Sequence, residues 1–198
     1  MRSNYGAIIL AGGKSERMNY PKPFLTDNGK NFLQKIVEEY YYSRVKDICL
    51  VINRNFCEGE WKKHFEQVVP YVKTIEKTDP EEGRFHSIKL GIKNLLYADF
   101  LFIQNADNPF VNNRIITSLK RHRLALGYTQ LFHQGHKGHP ILISKRIINT
   151  INNIHDNDYN LRTILEDFPK TDLETEDNRV LANINTQEDY QKYFAVNT

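Results

Sequence analysis

Short, unbroken apolar runs alternate along this chain with longer amphipathic stretches, and that alternation constrains the fold more than any other feature. Residues 5–11 (YGAIILA) are continuously apolar and stop at Gly12-Gly13, the pattern of a strand buried on both faces. Residues 31–43 place Phe32, Ile36, Val37 and Tyr40 at helical spacing, and 47–53 (DICLVIN) read as a second strand. A helix is predicted over 58–67, with Trp61 and Phe65 four apart, and a third strand over 68–75. The alternation continues with a helix over 84–96, a strand over 98–104 and a helix over 111–123. Strands over 128–132 and 140–144 flank a Gly/His turn. Helices over 147–154 and 161–168, a last strand over 179–184 and a helix over 187–194 follow. Strands separated by helices of this length predict a parallel or mostly parallel sheet with helices on both faces. In such a sheet ligands bind at the carboxyl ends of the strands, so the loops after Ala11, Gln104 and Ile184 are where chemistry is expected.

Composition narrows the class. At 198 residues the chain suits one domain, taken as 1–198, with enough length to bury a core without staples. No apolar run approaches the length that spans a bilayer, and residues 1–4 are too short and polar for a signal peptide. Two cysteines, Cys49 and Cys57, cannot build a disulfide framework or a cysteine-based zinc site, so a cytoplasmic setting is expected. A net charge of +3 does not call for nucleic acid or a membrane, but it suits an anionic small molecule. A monomer or a homodimer is expected.

The first strand runs into Gly12-Gly13-Lys14-Ser15-Glu16-Arg17-Met18. A P-loop would need glycine where Ile8 stands, and the dinucleotide fingerprint would need a third glycine where Arg17 and Met18 stand. What remains is a glycine pair that lets backbone N–H groups approach an anion, followed by cations that can neutralise a triphosphate. A tight strand-to-helix turn with a solvated basic loop reads equally well from these residues alone.

Residues 10–25 (LAGGKSERMNYPKPFL) resemble the signature loop of the MobA-like nucleotidyltransferases, L-A-[AG]-G-x-S-x-R-M followed by a lysine five residues after the arginine. That family includes molybdenum cofactor guanylyl- and cytidylyltransferases and is related to sugar-phosphate and methylerythritol-phosphate nucleotidyltransferases. The resemblance implies a Rossmann-like three-layer α/β/α nucleotidyltransferase domain. It implies that Leu10, Ala11, Gly12, Gly13, Lys14 and Ser15 wrap a nucleoside triphosphate. Arg17 would hold the leaving pyrophosphate, and Lys22, between Pro21 and Pro23, would stabilise charge at the α-phosphate.

Three further segments match the family in order. As a bare pattern, Asp107 in residues 104–110 (QNADNPF) reads first as the cap of the following helix; the segment also resembles the family's metal-binding D-x-P-[FL] element, which reverses that preference and makes Asp107 a Mg²⁺ ligand. Residues 183–190 (NINTQEDY) resemble its closing N-I-N-T-P-E-D-L motif. On a strand Asn183 and Asn185 would face the same way, and one or both would complete the Mg²⁺ shell or reach substrate; Asn185-Thr186 also reads as a helix cap. In residues 82–91, the resemblance puts Ser87 at the nucleobase or ribose and Arg84 near the phosphates or base.

Two more segments bear on the acceptor. Residues 135–142 (GHKGHPIL) resemble the G-x-x-G-H-P-[VI]-L segment of the cofactor cytidylyltransferases, which makes His139 an acceptor contact. His133, His136 and His139 form a regular series, but Gly135, Gly138 and Pro140 break any helix that would align the rings on zinc. Residues 156–165 resemble the start of a family helix and offer Arg162 for an acceptor phosphate. The family's activity is Mg²⁺-dependent transfer of a nucleotidyl group to a phosphomonoester, with loss of pyrophosphate. The Gly-Gly loop and N-I-N-T ending favour the guanylyl branch, whereas Ser87 and the G-H-P segment favour the cytidylyl branches. The base leans to CTP and the acceptor to molybdopterin, with a sugar phosphate, phosphocholine or methylerythritol phosphate as the alternative. An idle nucleotide-binding regulatory module is the reading from another class.

Overall fold

The computed structural model describes residues 3–156 and 159–194. In chain order the elements are β1 (Tyr5–Ala11), the short hairpin β2 (Thr26–Asp27) and β3 (Lys30–Asn31), α1 (Phe32–Tyr42), β4 (Asp47–Asn53), α2 (Lys62–Glu66), β5 (Lys73–Lys77) and α3 (Gly83–Asn94). They continue with β6 (Phe100–Asn105), α4 (Asn113–Arg121), β7 (Tyr128–His133), β8 (His136–Ser144), α5 (Lys145–Asn153), α6 (Leu161–Leu165), β9 (Lys170–Glu174) and α7 (Gln187–Phe194). Seven strands form one sheet in the order β5-β4-β1-β6-β8-β7-β9. All its neighbouring pairs are parallel except the two made by β8, which runs against β6 and β7.

Alternation along the central strands explains the layers. Ala7 and Ile9 of β1, and Ile48, Leu50 and Ile52 of β4, pack into one core with Leu33, Ile36 and Val37 of α1 and Ile116 and Leu119 of α4. Ile8, Cys49 and Val51 point the other way, against Ile88 and Ile92 of α3 and Ile147, Ile148 and Ile151 of α5. Successive side chains of a strand face opposite sides, so a run without polar residues needs cover on both. The three-layer α/β/α arrangement follows. Gly91 lets α3 lie directly on β1, since a Cβ there would come within 2.5 Å of Ile8. Among the described residues no helix is long and apolar enough to cross a membrane.

Three expectations are corrected. Residues 179–184 are not a strand: a 3-10 turn spans Asn178–Leu181, and the chain then runs extended without pairing into the sheet. The edge strand at that end is β9, whose alternating half-exposed positions and polar residues give no apolar run to read. The third strand begins later than its apolar run, because Pro70 lies in a 3-10 turn over Val69–Tyr71. Finally, α4 is capped by Asn112, whose side chain accepts from Ile115 N at 3.0 Å, so Asp107 is not its cap.

Candidate active site

Going from β1 to its two neighbours, the chain leaves on opposite sides: through α1 to β4, and after β5 and α3 back to β6. The loops that follow β1 and β6 therefore diverge and leave a crevice at the strand ends. That crevice is lined by Leu10, Ala11, Gly12, Gly13, Ser15 and Lys22 from the first loop, by Lys77, Gly83, Arg84 and Ser87 from the β5–α3 region, and by Asn105, Ala106 and Asp107. An adjoining hollow, lined by Gly13, Lys14, Ser15, Arg17 and Lys22, continues toward Pro80 and Glu81.

The first loop turns sharply at Ser15, whose φ is +60°, and Ser15 Oγ accepts from Lys22 N at 3.1 Å. Lys22 Nζ then sits 3.7 Å from Asp107 Oδ2 and donates to Asn185 Oδ1 at 2.7 Å. Arg17 Nη2 reaches the same Asn185 oxygen at 3.5 Å. Arg17, Lys22, Asp107 and Asn185 thus meet at one place, although Asn185 is 168 positions from Arg17. Lys14 is drawn across the hollow to Glu81 and pairs with Glu16 at 3.5 Å.

Asp107 is mostly buried, and burial raises its carboxyl above the usual range against the pull of Lys22 and Arg84. Its Oδ1 is buried without a hydrogen-bond partner. Asp107 lines the crevice, and a carboxylate with one oxygen left unpartnered is the kind of donor a hard divalent cation uses. Among the described residues no group of three or more His, Cys, Asp or Glu could hold a metal by themselves. The donor set therefore fits a cation that takes one carboxylate from the protein and fills its shell with phosphate oxygens and water, as Mg²⁺ does.

The closing segment is tied to Asp107 by backbone. Ile184 N donates to Asp107 O at 2.8 Å, and buried Asn108 donates from Nδ2 to Val180 O at 3.0 Å. Thr186 and Asp189 form a reciprocal cap on α7: Thr186 N donates to Asp189 Oδ2 at 2.9 Å, and Asp189 N to Thr186 Oγ1 at 3.2 Å. Because this segment is not a strand, Asn183 and Asn185 do not face the same way. Asn185 enters the site, whereas Asn183 is exposed and offers its backbone carbonyl to Asn185 Nδ2 at 3.2 Å.

Arg84 lines the crevice and donates to Asn105 Oδ1 at 3.0 Å. Asn105 Nδ2 lies 3.3 Å from His139 Nε2. His139 thus backs Arg84 through Asn105; burial, aided by the Arg84 charge, holds its pKa down to about 4, so the ring is neutral near pH 7. Ser87 lines the crevice, with Oγ donating to Gly83 O at 3.3 Å. Arg162 does not join this group: it is exposed and its guanidinium lies 3.9 Å from Glu166, while Asn157 and Asp158 of the same stretch fall outside the described residues.

Several participants gave no sequence signal. Gln104 is fully buried; its Nε2 donates to Asn105 O at 2.9 Å and Asn108 O at 2.8 Å, and its Oε1 accepts from Tyr40 OH at 3.1 Å. This network holds the Asp107 loop from beneath. Lys77, Asn105 and Asn108 were also unmarked, because polar residues next to apolar runs read as loop and lysine reads as surface.

With this geometry in view, comparison with known proteins is specific. Residues 7–175 match the model of the MobA-like NTP transferase domain, and the chain belongs to that family. It is similar to a 2-C-methyl-D-erythritol 4-phosphate cytidylyltransferase of Thermosipho africanus, 33% identical over 113 residues, which are 55% of this chain and 49% of the relative. It is also similar to a probable molybdenum cofactor guanylyltransferase of Clostridium perfringens, 33% identical over 121 residues, 57% of this chain and 52% of the relative. The chain thus spans about half the length of these curated relatives. In fold it matches a nucleotidyl transferase from Methanothermobacter with a TM-score of 0.79 at 17% identity, covering 96% of each chain.

Proposed function

We propose that this chain is a Mg²⁺-dependent nucleotidyltransferase that moves a nucleotidyl group, CTP being the first donor to test, onto a phosphomonoester and releases pyrophosphate. The observation that carries this reading is the convergence of Lys22, Asp107, Asn185 and Arg17 on one crevice. A phosphate acceptor is already anionic near pH 7, so no protein base is needed to activate it. Catalysis is then positioning and charge neutralisation. Lys22 is placed to neutralise the α-phosphate, Arg17 and Lys14 to receive the departing pyrophosphate, and the Gly12-Gly13 backbone to let the phosphates approach. The Asp107 carboxylate, with the Asn185 amide oxygen that shares Lys22 with it, would hold Mg²⁺, which when bound supplies Lewis-acid neutralisation of the phosphates. Arg84, lining the crevice and backed by His139 through Asn105, is placed near the phosphates or base.

For the acceptor, the Thermosipho relative supports a methylerythritol-type polyol phosphate, so cytidylyl transfer to such a phosphate is the leading reading. Molybdopterin is kept as the second, on the strength of the Clostridium perfringens relative. The test is pyrophosphate release, coupled to pyrophosphatase, over four nucleoside triphosphates and a panel of both acceptors, phosphocholine and sugar phosphates. Acceptor-dependent release with CTP is expected, falling about a thousandfold or more in Lys22→Ala, the scale of lost transition-state electrostatics. Nucleotide binding by calorimetry with no release under any combination would point instead to a regulatory binding module.

A further inference from the structure

The crevice contains a cation that the phosphate machinery does not use. Lys77 ends β5 with only 2% of its surface exposed. Its Nζ donates to Gly83 O at 2.7 Å, leaving two N–H donors over, and no carboxylate among the described residues lies within ion-pair distance. The acids nearest in sequence are occupied or remote: Glu81 pairs with Lys14 and Glu82 lies 3.2 Å from His86, while Asp79 acts only at a distance. Burial accordingly pulls the Lys77 ammonium below its ordinary range. A buried cation with one backbone partner is costly, and a methionine would fill the same space without that cost. The residue makes sense if something entering the crevice accepts from it.

Position says what that is. The stem of Lys77 and the hydroxyl of Ser87 both press on Gly12, where a Cβ would meet them at 3.1 and 3.3 Å. Both side chains donate to the carbonyl of Gly83, which holds them side by side; the hydroxyl's one hydrogen is spent there, so the free donors at this end of the crevice are those of Lys77 Nζ. The phosphate-binding cations Lys14 and Arg17 line the adjoining hollow beyond Gly13, and Lys22 is engaged by Asp107 and Asn185. A nucleotide laid with its phosphates there leaves the Lys77–Ser87 end of the crevice for its base. A strong acceptor on a neutral base is an oxo group, which cytosine, uracil and guanine carry and adenine lacks.

Resting on the nucleotidyltransferase reading above, we propose that Lys77 is a specificity-determining residue that donates from Nζ to a nucleobase oxo group, so that the crevice selects cytosine, uracil or guanine nucleotides over adenine nucleotides.

The test is affinity and kcat/KM for CTP, UTP, GTP and ATP in wild type, Lys77→Met and Lys77→Arg, with thermal melts alongside. Wild type is expected to prefer an oxo-base nucleotide over ATP. In Lys77→Met the kcat/KM for that nucleotide should fall about 10- to 100-fold, the worth of a charge-assisted hydrogen bond, through KM rather than kcat, with ATP changing less than about twofold. Retention of part of the preference in Lys77→Arg, with Lys77→Met melting no lower than wild type, supports the assignment. An equal loss for all four nucleotides, an unchanged preference, or a wild type that prefers ATP overturns it while leaving nucleotidyl transfer intact. A wild type that binds no nucleoside triphosphate overturns the reading of the crevice itself.

Discussion

The two loops that face each other across the crevice are built in opposite ways. The Asp107 loop stands on a buried polar network: Tyr40 holds Gln104, Gln104 holds the carbonyls of Asn105 and Asn108, and Ala106 N donates to Leu10 O at 3.0 Å. The glycine loop has little beneath it. Gly13, Lys14, Glu16, Arg17 and Asn19 are exposed, and its backbone is tied mainly by local turns, such as Met18 N to Ser15 O at 3.1 Å, and by Ser15 Oγ on Lys22 N; its longer reach is through side-chain tips, Lys22 and Arg17 to Asn185 and Lys14 to Glu81. Buried, fully bonded groups resist local opening, and exposed turns do not. The carboxylate that would meet a metal is therefore fixed in advance, while the loop that carries the proposed phosphate cations can adjust to what arrives.

After the loss of Lys22 itself, the largest effect on turnover should come from the fixed side. Asp107→Asn removes the carboxylate charge, and turnover should fall about a hundredfold or more, as for loss of one preorganised electrostatic contact. Stability should move the other way. Because burial raises the Asp107 carboxyl above its unfolded value, the ionised group costs folding free energy at neutral pH. That cost fades as pH falls through the raised pKa and is gone below the unfolded value. In metal-free buffer at pH 7, Asp107→Asn should melt higher than wild type, and the gap should close as pH is lowered toward 4. A variant that melts lower at pH 7, or a gap that widens with acid, would show that Lys22 outweighs burial.

A smaller effect on turnover, with a larger one on stability, is expected from Asn108→Ala. Asn108 is 1% exposed and touches nothing in the crevice, yet it donates to Val180 O and accepts from Phe110 N at 3.3 Å. Truncation leaves buried backbone groups without partners, at about 1–3 kcal/mol. It also loosens the segment that delivers Asn185 to Lys22, so turnover should drop about tenfold with little change in nucleotide KM. Urea unfolding and steady-state kinetics read both. Lost stability with unchanged turnover would mean that the Ile184–Asp107 backbone bond alone places Asn185.

The same contrast governs what the sequence made legible. The glycine loop is local: strand, glycine pair, arginine and lysine lie within one stretch, and the motif names its own participants. Asp107 was legible for the same reason, and the Thr186–Asp189 cap follows from residues three apart. The choice of Asn185 over Asn183 was not, because it depends on whether residues 179–184 pair as a strand. Val180 and Ile184 are buried as strand residues would be, yet their backbones bond Asn108 and Asp107 instead of a neighbouring strand. Gln104 and Lys77 were illegible because each is a polar residue buried by contacts that exist only after folding. The edge strand β9 was missed because one face is solvated and the other only half covered.

The smallest effect should come from the adjustable loop. Ser15 combines a left-handed backbone with a hydroxyl that accepts from Lys22 N at 3.1 Å. Ser15→Ala keeps the unfavourable φ and loses the bond, so stability should fall by about 0.5–1.5 kcal/mol. Ser15→Gly loses the same bond, but glycine adopts positive φ without steric cost, so it should be no less stable than Ser15→Ala. Turnover should fall only a few fold, and equally in both, because a loop that settles around its ligand can recover the position of Lys22 once phosphate is bound. Melting curves and kcat for the pair separate the two contributions. If either variant loses more turnover than Asn108→Ala, the glycine loop is preset after all, and the distinction between a fixed wall and an adjustable one fails.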